Sequence, residues 1–294
     1  MMDQILRQLG LIGIIPVVVI EKERDAEALA QALLDGGLWT MEITLRTGAA
    51  QSAIARIVKS HPTMLVGAGT VLTVEQAAAA VEAGARYIVS PGLNRRVVDY
   101  CLSRQIPVTP GVLTPTEIEA ALDLGITVAK FFPAEASGGI AYLKAVSAPY
   151  QRLSFIPTGG IDERNLLSYL SLPQVHACGG SWIVRADLIT QNRFAEITQL
   201  TRQAVANMLG FVISRDSPRT AAAAASSLAA SLRLPGPSNE PSTGRATRES
   251  TPSEQVAIGT HFIARAMAYL SRQGIGFRED TRVERCQRSR RYCS

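Results

Sequence analysis

The chain has 294 residues and a mass of 31.5 kDa, enough for one large domain or for one mid-sized domain with an appendage. Hydrophobic residues make up 47% of it and charged residues 19%, a composition that excludes a wholly disordered chain. The net charge of +5 would by itself suggest an anionic partner such as a nucleic acid. Residues 1–210, however, have a net charge of −1 and residues 211–294 a net charge of +6, so the basic character belongs to the last quarter of the chain.

The N-terminal segment and the cysteines indicate the cellular compartment of the protein. The longest apolar stretch, residues 11–20, is interrupted by Gly13 and Pro16, so we expect no membrane span. Asp3 stands where a secretory signal would carry positive charge. The cysteines lack CxxC and CxxxC spacing and the three histidines are scattered, so we expect no metal site and a reducing, cytoplasmic location. The four cysteines are Cys101, Cys178, Cys286 and Cys293.

A change in composition near residue 210 predicts a domain boundary. Residues 216–253 are rich in Ala, Ser, Pro, Thr and Gly, which is typical of a low-complexity, disordered linker, and we place that linker at 211–255. A transient helix is expected over 221–232. The basic tail, 256–294, regains amphipathic character over 256–277, with one predicted helical face. That face contains Phe262, Ala266, Tyr269 and Leu270.

Residues 1–210 alternate short β-branched runs with amphipathic helices, which predicts a repeated βα unit. Three of the helices end at a glycine before the next strand, namely at Gly37, Gly84 and Gly125. The eight predicted strands are Ile14–Val19, Thr40–Leu45, Leu65–Ala68, Tyr87–Ser90, Pro107–Thr109, Val128–Phe131, Ser154–Pro157 and Val175–Cys178.

Eight βα units in about 200 residues favour an α/β fold of the (β/α)₈ TIM barrel type. A short helix over Asp3–Leu9 is expected to precede it. A doubly wound open sheet is the alternative, but no GxGxxG motif follows the first strand. In a barrel the active site lies at the carboxyl ends of the strands, so polar residues at those ends are the candidates for function.

The second predicted strand places Glu42, Thr44 and Arg46 on one face. A barrel strand has helices outside and a packed core inside, so a Glu and an Arg on its inward face need a partner or a chemical task. The alternative interpretation is an internal ion pair without a catalytic role.

The sixth predicted strand places Lys130 inside an apolar run, where an ammonium group is rarely buried without compensation. Lysine is scarce here, because only four of the 30 basic residues are lysines. A buried amine can lose its proton whereas a guanidinium cannot, and a neutral amine forms a Schiff base with a carbonyl. A lysine that reaches the rim, or that only pairs with Glu42, is the alternative, but it leaves the choice of Lys over Arg unexplained.

Paired glycines follow the last two predicted strands, at Gly159-Gly160 and Gly179-Gly180. They expose backbone N–H groups where barrels commonly bind a phosphate, although each pair could also mark only a turn.

At these positions the sequence resembles the 2-keto-3-deoxy-6-phosphogluconate/4-hydroxy-2-oxoglutarate aldolases, over about residues 5–208. Two stretches carry most of the likeness, GLWTMEITLR at 37–46 and GITVAKFFPAEASGG at 125–139. Four shorter motifs agree in order: GAGTV at 67–71, VSPG at 89–92, PTGGI at 157–161 and GGSW at 179–182.

The resemblance implies a metal-independent class I aldolase of the Entner–Doudoroff pathway, without a cofactor, in a homotrimer of barrels. The implied substrate is a phosphorylated keto acid, cleaved to pyruvate and glyceraldehyde 3-phosphate, with 4-hydroxy-2-oxoglutarate as a second substrate. A galactonate-derived isomer of the sugar acid is the alternative. The implied roles are the Schiff-base lysine for Lys130, the general acid/base for Glu42, the pyruvyl carboxylate site for Arg46 and Thr70, pocket lining for Pro91, Phe132 and Thr158, and phosphate binding for Gly159, Gly160, Gly180 and Ser181.

Two other hypotheses about function explain fewer of these residues. A scaffold barrel whose basic tail binds nucleic acid has few aromatic residues after 210 and no binding motif to support it. A barrel isomerase acting on a phosphorylated sugar fits the glycine pairs but makes no use of Lys130 as a nucleophile. The tail departs from the family, and residues 256–277 faintly resemble a strand-helix segment of glyoxalase-like extensions, which suggests a truncated remnant.

Overall fold

The structure is a computed structural model, and it describes residues 2–210, 212–213 and 258–273. The chain divides into two compact units, Met1–Met208 and Leu209–Ser294. None of the helices in these described ranges is long and apolar enough to cross a membrane.

The first unit contains nine short strands, separated by helices at nearly every connection. The strands are β1 (Ile14–Val18), β2 (Thr40–Thr44), β3 (Leu65–Gly69), β4 (Tyr87–Val89), β5 (Val108–Thr109), β6 (Gly111–Val112), β7 (Val128–Phe131), β8 (Ser154–Pro157) and β9 (Cys178–Gly180). The helices are α1 (Met2–Ile12), α2 (Ala26–Gly36), α3 (Ala50–Ser60), α4 (Val74–Glu82), α5 (Arg95–Ser103), α6 (Pro115–Asp123), α7 (Gly139–Ser147), α8 (Leu166–Leu170), α9 (Ala186–Thr190) and α10 (Phe194–Leu209).

The strands form a curled parallel sheet, and this confirms the α/β class. Six strands lie in the order β5-β4-β3-β2-β1-β9 and three in the order β6-β7-β8. Every one of these pairings is parallel. Two isolated bridges, Phe155 to Val175 and Thr158 to Gly179, connect β8 with the chain around β9. Because parallel neighbours carry their carboxyl ends to one edge, the residues that follow the strands are brought together.

Helix endings and strand burial follow the sequence pattern. Gly37, Gly84 and Gly125 have φ values of +95°, +103° and +77°, a region that glycine enters without steric cost. The N–H of Gly37 donates to the carbonyls of Leu33 and Leu34 and so ends α2. All five residues of β2 are buried, as expected for a strand covered on both faces.

The predicted elements differ from the structure most clearly at three places. The fifth predicted strand, 107–109, corresponds to β5, and the short strand β6 that follows was not predicted; Pro110 separates the two strands because it has no N–H to donate to a sheet. The eighth was placed at 175–178, whereas β9 covers 178–180 and Val175 makes only an isolated bridge. The first helix extends over 2–12 rather than 3–9, because Ile5, Leu9 and Ile12 all lie on its buried face.

The described part of the second unit is small. Strand β10 (Val212–Ile213) pairs antiparallel with β11 (Ile258–Gly259), and helix α11 covers Ile263–Arg272. Its buried residues are Ala266, Tyr269 and Leu270, three of the four predicted for one face. Residues 212–213 fall in the segment predicted as a linker. The rest of that segment, the predicted helix at 221–232 and residues 274–294 lie outside the described residues.

Candidate active site

Lys130 and Glu42 form a buried ion pair in the interior of the curled sheet. Lys130 lies in β7 and Glu42 in β2, and their Nζ and Oε1 atoms are 3.3 Å apart. The two side chains are only 7% and 4% exposed. Removing two charges from water is costly, and their attraction compensates only when the geometry is good. The two residues are 88 positions apart in the sequence, and the parallel sheet brings their side chains into contact.

The Glu42 carboxylate has its place because β3 ends in a glycine. A Cβ atom built on Gly69 would lie 2.0 Å from Glu42 Oε1, the same oxygen that faces Lys130. A real Cβ does not approach an oxygen so closely, so any larger residue at 69 would displace the carboxylate. Gly69 thus sets the position of Glu42 although it carries no functional group.

We expect Gly69→Ala to lower turnover by about 10- to 100-fold, because a displacement of about 1 Å in a reacting group can have an effect of that size. Steady-state assay of pyruvate release measures it. Gly48→Ala is the matched control, since a Cβ there meets nothing within 4 Å and the variant should behave as wild type. Equal activity of the two variants would show that Gly69 does not set the position of the carboxylate.

A small cavity of about 10 Å³ lies beside the ion pair, which is about the space one water molecule needs. Its apolar wall is formed by Leu9, Ile15, Val89 and Ile156. Its polar wall contains Lys130, Glu42 and the hydroxyl-bearing residues Tyr87, Thr109 and Thr158.

Two of these three hydroxyl groups have hydrogen-bond partners within the protein. Tyr87 Oη and Thr40 Oγ1 are 3.1 Å apart, and burial raises the pKa of Tyr87, so its hydroxyl stays protonated. Thr158 Oγ1 donates to the Ile156 carbonyl at 3.3 Å. Thr109 Oγ1 is buried and has no partner among the described residues. A buried polar group without a hydrogen bond lowers the stability of a protein by about 1–3 kcal/mol, so the presence of this hydroxyl needs an explanation.

Arg46 and Thr70 lie together at the end of β2 and β3. Arg46 Nε donates to Thr70 Oγ1 at 3.4 Å. Arg46 was expected on a covered face of β2, and this was wrong, because β2 ends at Thr44 and Arg46 is exposed. Thr70 has φ +56°, a left-handed conformation that is strained for a β-branched residue. Such strain is concentrated at functional sites, and here it belongs to a residue singled out from the sequence.

Phe132 lies beside Lys130, and Pro91 lies against Gly111, which pairs with Lys130 across the sheet. The Lys130 ammonium is 5.2 Å from the centroid of the Phe132 ring, a distance at which the ring face attracts a cation. Pro91 packs against Gly111, where a Cβ atom would lie 2.0 Å from the Pro91 carbonyl oxygen. Gly111 therefore lets the loop that follows β4 come close to β6, the strand beside Lys130.

The glycine pairs after β8 and in β9 lie side by side. Thr158 and Gly179 form a bridge, and a Cβ atom on Gly179 would lie 2.4 Å from Thr158 Oγ1. Gly159 and Gly160 both have positive φ, at +98° and +82°. Gly180 is buried, whereas the residue after it, Ser181, is exposed. Backbone turns of this kind can present N–H groups to an anion.

Other candidate groups lie apart from this site. Burial raises the pKa of the Cys101 thiol to about 12, which makes it a poor nucleophile at neutral pH. His61 Nδ1 is 2.8 Å from Ser60 Oγ at an exposed position. A cleft of about 500 Å³ lies at the opposite end of the strands, between α1 and the start of β7 and β8. In the described part of the chain no group of three or more His, Cys, Asp or Glu side chains could hold a metal ion.

Two residues beside the ion pair were not predicted as part of the site, namely Gly69, which positions Glu42, and Thr109. For Thr109 a signal was present, because a threonine interrupts the apolar run that leads into Pro110. For Gly69 there was none, since a glycine at a strand end is ordinary and its contact with Glu42 exists only in three dimensions.

This fold and this site are those of an α/β enzyme with a buried lysine beside a carboxylate. The sequence model of the aldolase family described as "KDPG and KHG aldolase" matches residues 2–200. KDPG stands for 2-keto-3-deoxy-6-phosphogluconate and KHG for 4-hydroxy-2-oxoglutarate. That match covers more than half of the chain, so the chain belongs to the KDPG and KHG aldolase family.

Similar proteins with known names agree with this family. The chain is 50% identical over 202 residues to the 2-dehydro-3-deoxy-phosphogluconate aldolase of Treponema pallidum, covering 69% of this chain and 96% of that protein. It is 43% identical over 192 residues to the KHG/KDPG aldolase of Escherichia coli, covering 65% and 90%. Among solved structures, a KDPG aldolase of Legionella pneumophila has 40% identity and a TM-score of 0.66, covering 68% of this chain and 97% of that one. That crystal structure holds pyruvate as a covalent carbinolamine.

Proposed function

We propose that this chain is a class I aldolase that cleaves 2-keto-3-deoxy-6-phosphogluconate to pyruvate and glyceraldehyde 3-phosphate. It also cleaves 4-hydroxy-2-oxoglutarate to pyruvate and glyoxylate. The observation that carries the proposal is the buried Lys130–Glu42 pair, with Nζ 3.3 Å from Oε1. Family membership and the carbinolamine held by the Legionella relative support it.

The ion pair supplies both groups that the first steps require. Transfer of a proton from the Lys130 ammonium to the Glu42 carboxylate gives a neutral amine, which attacks the C2 ketone. The nitrogen–carbon bond forms, the attacking nitrogen loses one proton and the carbonyl oxygen gains one, which gives a neutral carbinolamine while Glu42 keeps its proton. Glu42 then returns its proton to the hydroxyl, the carbon–oxygen bond breaks, and water leaves as the protonated imine forms.

The protonated imine makes the carbon–carbon bond cleavable. Loss of the C4 hydroxyl proton to Glu42 starts cleavage between C3 and C4, and the electron pair moves into the imine to give an enamine and an aldehyde. Protonation of C3 and hydrolysis by water release pyruvate and restore Lys130. The protonated imine formed on Lys130 is the electron sink, so the proposed reaction uses neither a cofactor nor a metal ion.

Two anionic ends of the substrate require two anion sites. We assign the pyruvyl carboxylate to Arg46 and Thr70, which hydrogen-bond one another at 3.4 Å, because a guanidinium suits a carboxylate. We assign the phosphate to Gly159, Gly160, Gly180 and Ser181, which surround the bridge between β8 and β9. Pro91, Phe132 and Thr158 would line the space between. This spacing would hold C2 beside Lys130.

Pyruvate release from three substrates tests the proposal. We expect turnover of 2-keto-3-deoxy-6-phosphogluconate and of 4-hydroxy-2-oxoglutarate, with the phosphorylated substrate showing the lower KM because only its phosphate fits the site assigned to the glycine pairs. The galactonate-derived isomer distinguishes the alternative aldolase. An enzyme that releases pyruvate from none of the three is not a pyruvate aldolase.

The organisation of the protein is proposed in the same way. We place the catalytic unit at 1–210 as a closed (β/α)₈ TIM barrel, supported by the two bridges between β8 and the chain around β9. A homotrimer is proposed from the resemblance and a cytoplasmic location from the cysteine spacing, and light scattering of the purified protein would measure its mass. Residues 211–255 are proposed as a linker and residues 256–294 as a remnant of a glyoxalase-like module.

A further inference from the structure

Thr109 lies in the interior of the curled sheet, beside the Lys130–Glu42 pair. It is the last residue of β5, its side chain is almost completely buried, and it lines the same small cavity as both charged groups. Its neighbour across the sheet in β4, Val89, lines that cavity as well. The Thr109 side chain therefore points toward the reacting groups and not toward the surrounding helices.

The Thr109 hydroxyl differs from the other hydroxyls around the cavity. Tyr87 pairs with Thr40, and Thr158 donates to a carbonyl of its own strand. Thr109 Oγ1 is fully enclosed and has no hydrogen-bond partner among the described residues. A valine would fill the same space without a buried polar atom, so packing alone does not account for a threonine at this position.

The cavity limits what could bind to that hydroxyl. Its volume of about 10 Å³ fits one water molecule and excludes the sugar acid. A buried water usually makes two to four hydrogen bonds, roughly three on average. The groups that can supply them are Thr109 Oγ1, the Lys130 ammonium and the Glu42 carboxylate, since the Tyr87 and Thr158 hydroxyls already have partners and the other four wall residues are apolar.

We propose that the Thr109 hydroxyl binds the water molecule that leaves when the Lys130 carbinolamine dehydrates, and returns it when the imine is hydrolysed. The inference rests on the proposed aldolase function. In the dehydration, the carbon–oxygen bond breaks, the oxygen takes the proton from Glu42, and the nitrogen lone pair forms the carbon–nitrogen double bond. Thr109 stabilises the departing water and so accelerates imine formation and hydrolysis, with no effect on substrate binding.

The test compares wild type, Thr109→Val and Thr109→Ser in rapid-quench borohydride trapping with pyruvate. Valine keeps the shape and removes the hydroxyl, whereas serine keeps the hydroxyl. We expect the rate of trapped adduct formation to fall about 10-fold in Thr109→Val, the effect of one hydrogen bond, and to recover largely in Thr109→Ser. The KM for the sugar acid should stay as in wild type. The melting temperature of Thr109→Val should stay close to that of wild type, because valine keeps the shape and the hydroxyl has no hydrogen bond to another described residue that could be lost.

Four outcomes would overturn the inference. They are a wild-type trapping rate in Thr109→Val, an equal loss of rate in the serine variant, a fall in melting temperature that parallels the loss of rate, and a crystal structure without a water within hydrogen-bond distance of Thr109 Oγ1. Failure of the proposed function has a different signature, since wild type itself would then form no adduct. The two failures are therefore separable in one experiment.

Discussion

Lys130→Arg is expected to abolish aldol cleavage, with a loss of turnover of at least about 10⁴-fold, as is typical when a covalent nucleophile is removed. Arginine keeps a positive charge opposite Glu42 but cannot lose its proton, so no imine can form. Pyruvate release in a coupled assay measures the loss. The result separates the nucleophile from the simple ion pair, because an ion-pair role would tolerate the guanidinium.

Two controls accompany this variant. Lys144→Arg changes an exposed lysine of α7 and should keep wild-type turnover. Thermal unfolding of Lys130→Arg shows whether the larger side chain still folds into the interior. A folded Lys130→Arg protein with more than a few per cent of wild-type turnover would contradict a Schiff-base role for Lys130.

Glu42→Gln is expected to lower turnover by about 10²- to 10⁴-fold, the usual contribution of a general acid–base group. Glutamine has nearly the same shape and can still accept a hydrogen bond from Lys130, but it cannot take up or return a proton. Trapping with borohydride should still label Lys130 in this variant, only more slowly. Loss of turnover with retention of slow labelling is the signature of a proton-transfer role.

The same substitution also tests the energetics of the buried pair. It leaves a buried charge without its counter-ion, which destabilises a protein by about 3–5 kcal/mol in comparable cases. Glu27→Gln is the matched control, because Glu27 pairs with Arg56 at 3.0 Å on the surface, with side chains more than 40% exposed. That change should cost less than about 1 kcal/mol. Chemical denaturation of both variants gives their free energies of unfolding. Full turnover in Glu42→Gln would contradict the proton-transfer role of Glu42.

The sequence located most of the fold because hydrophobic periodicity and helix-ending glycines are local features. Strand β7 and strand β8 were predicted to the residue, and β2 to within one residue. The site chemistry was predictable at Lys130 and Glu42, because charged residues inside apolar strands are costly and therefore conspicuous.

The errors arose where non-local packing decides the structure. The shift of β9 depends on the register of Ile14 and Ile15 against Cys178 and Gly179, which no local pattern encodes. The exposure of Arg46 depends on where β2 ends, one residue earlier than its sequence suggests. The space that Gly69 leaves for Glu42 is a contact between strands, and it can be read only from the structure.

Borohydride trapping with pyruvate tests the central claim most directly. Pyruvate and borohydride together should add one reduced pyruvyl group irreversibly, and peptide mass mapping should place it on the peptide that contains Lys130. Borohydride alone should add nothing, and Lys130→Met should remain unlabelled. An enzyme that gains no adduct, or an adduct that persists in Lys130→Met, would contradict the account.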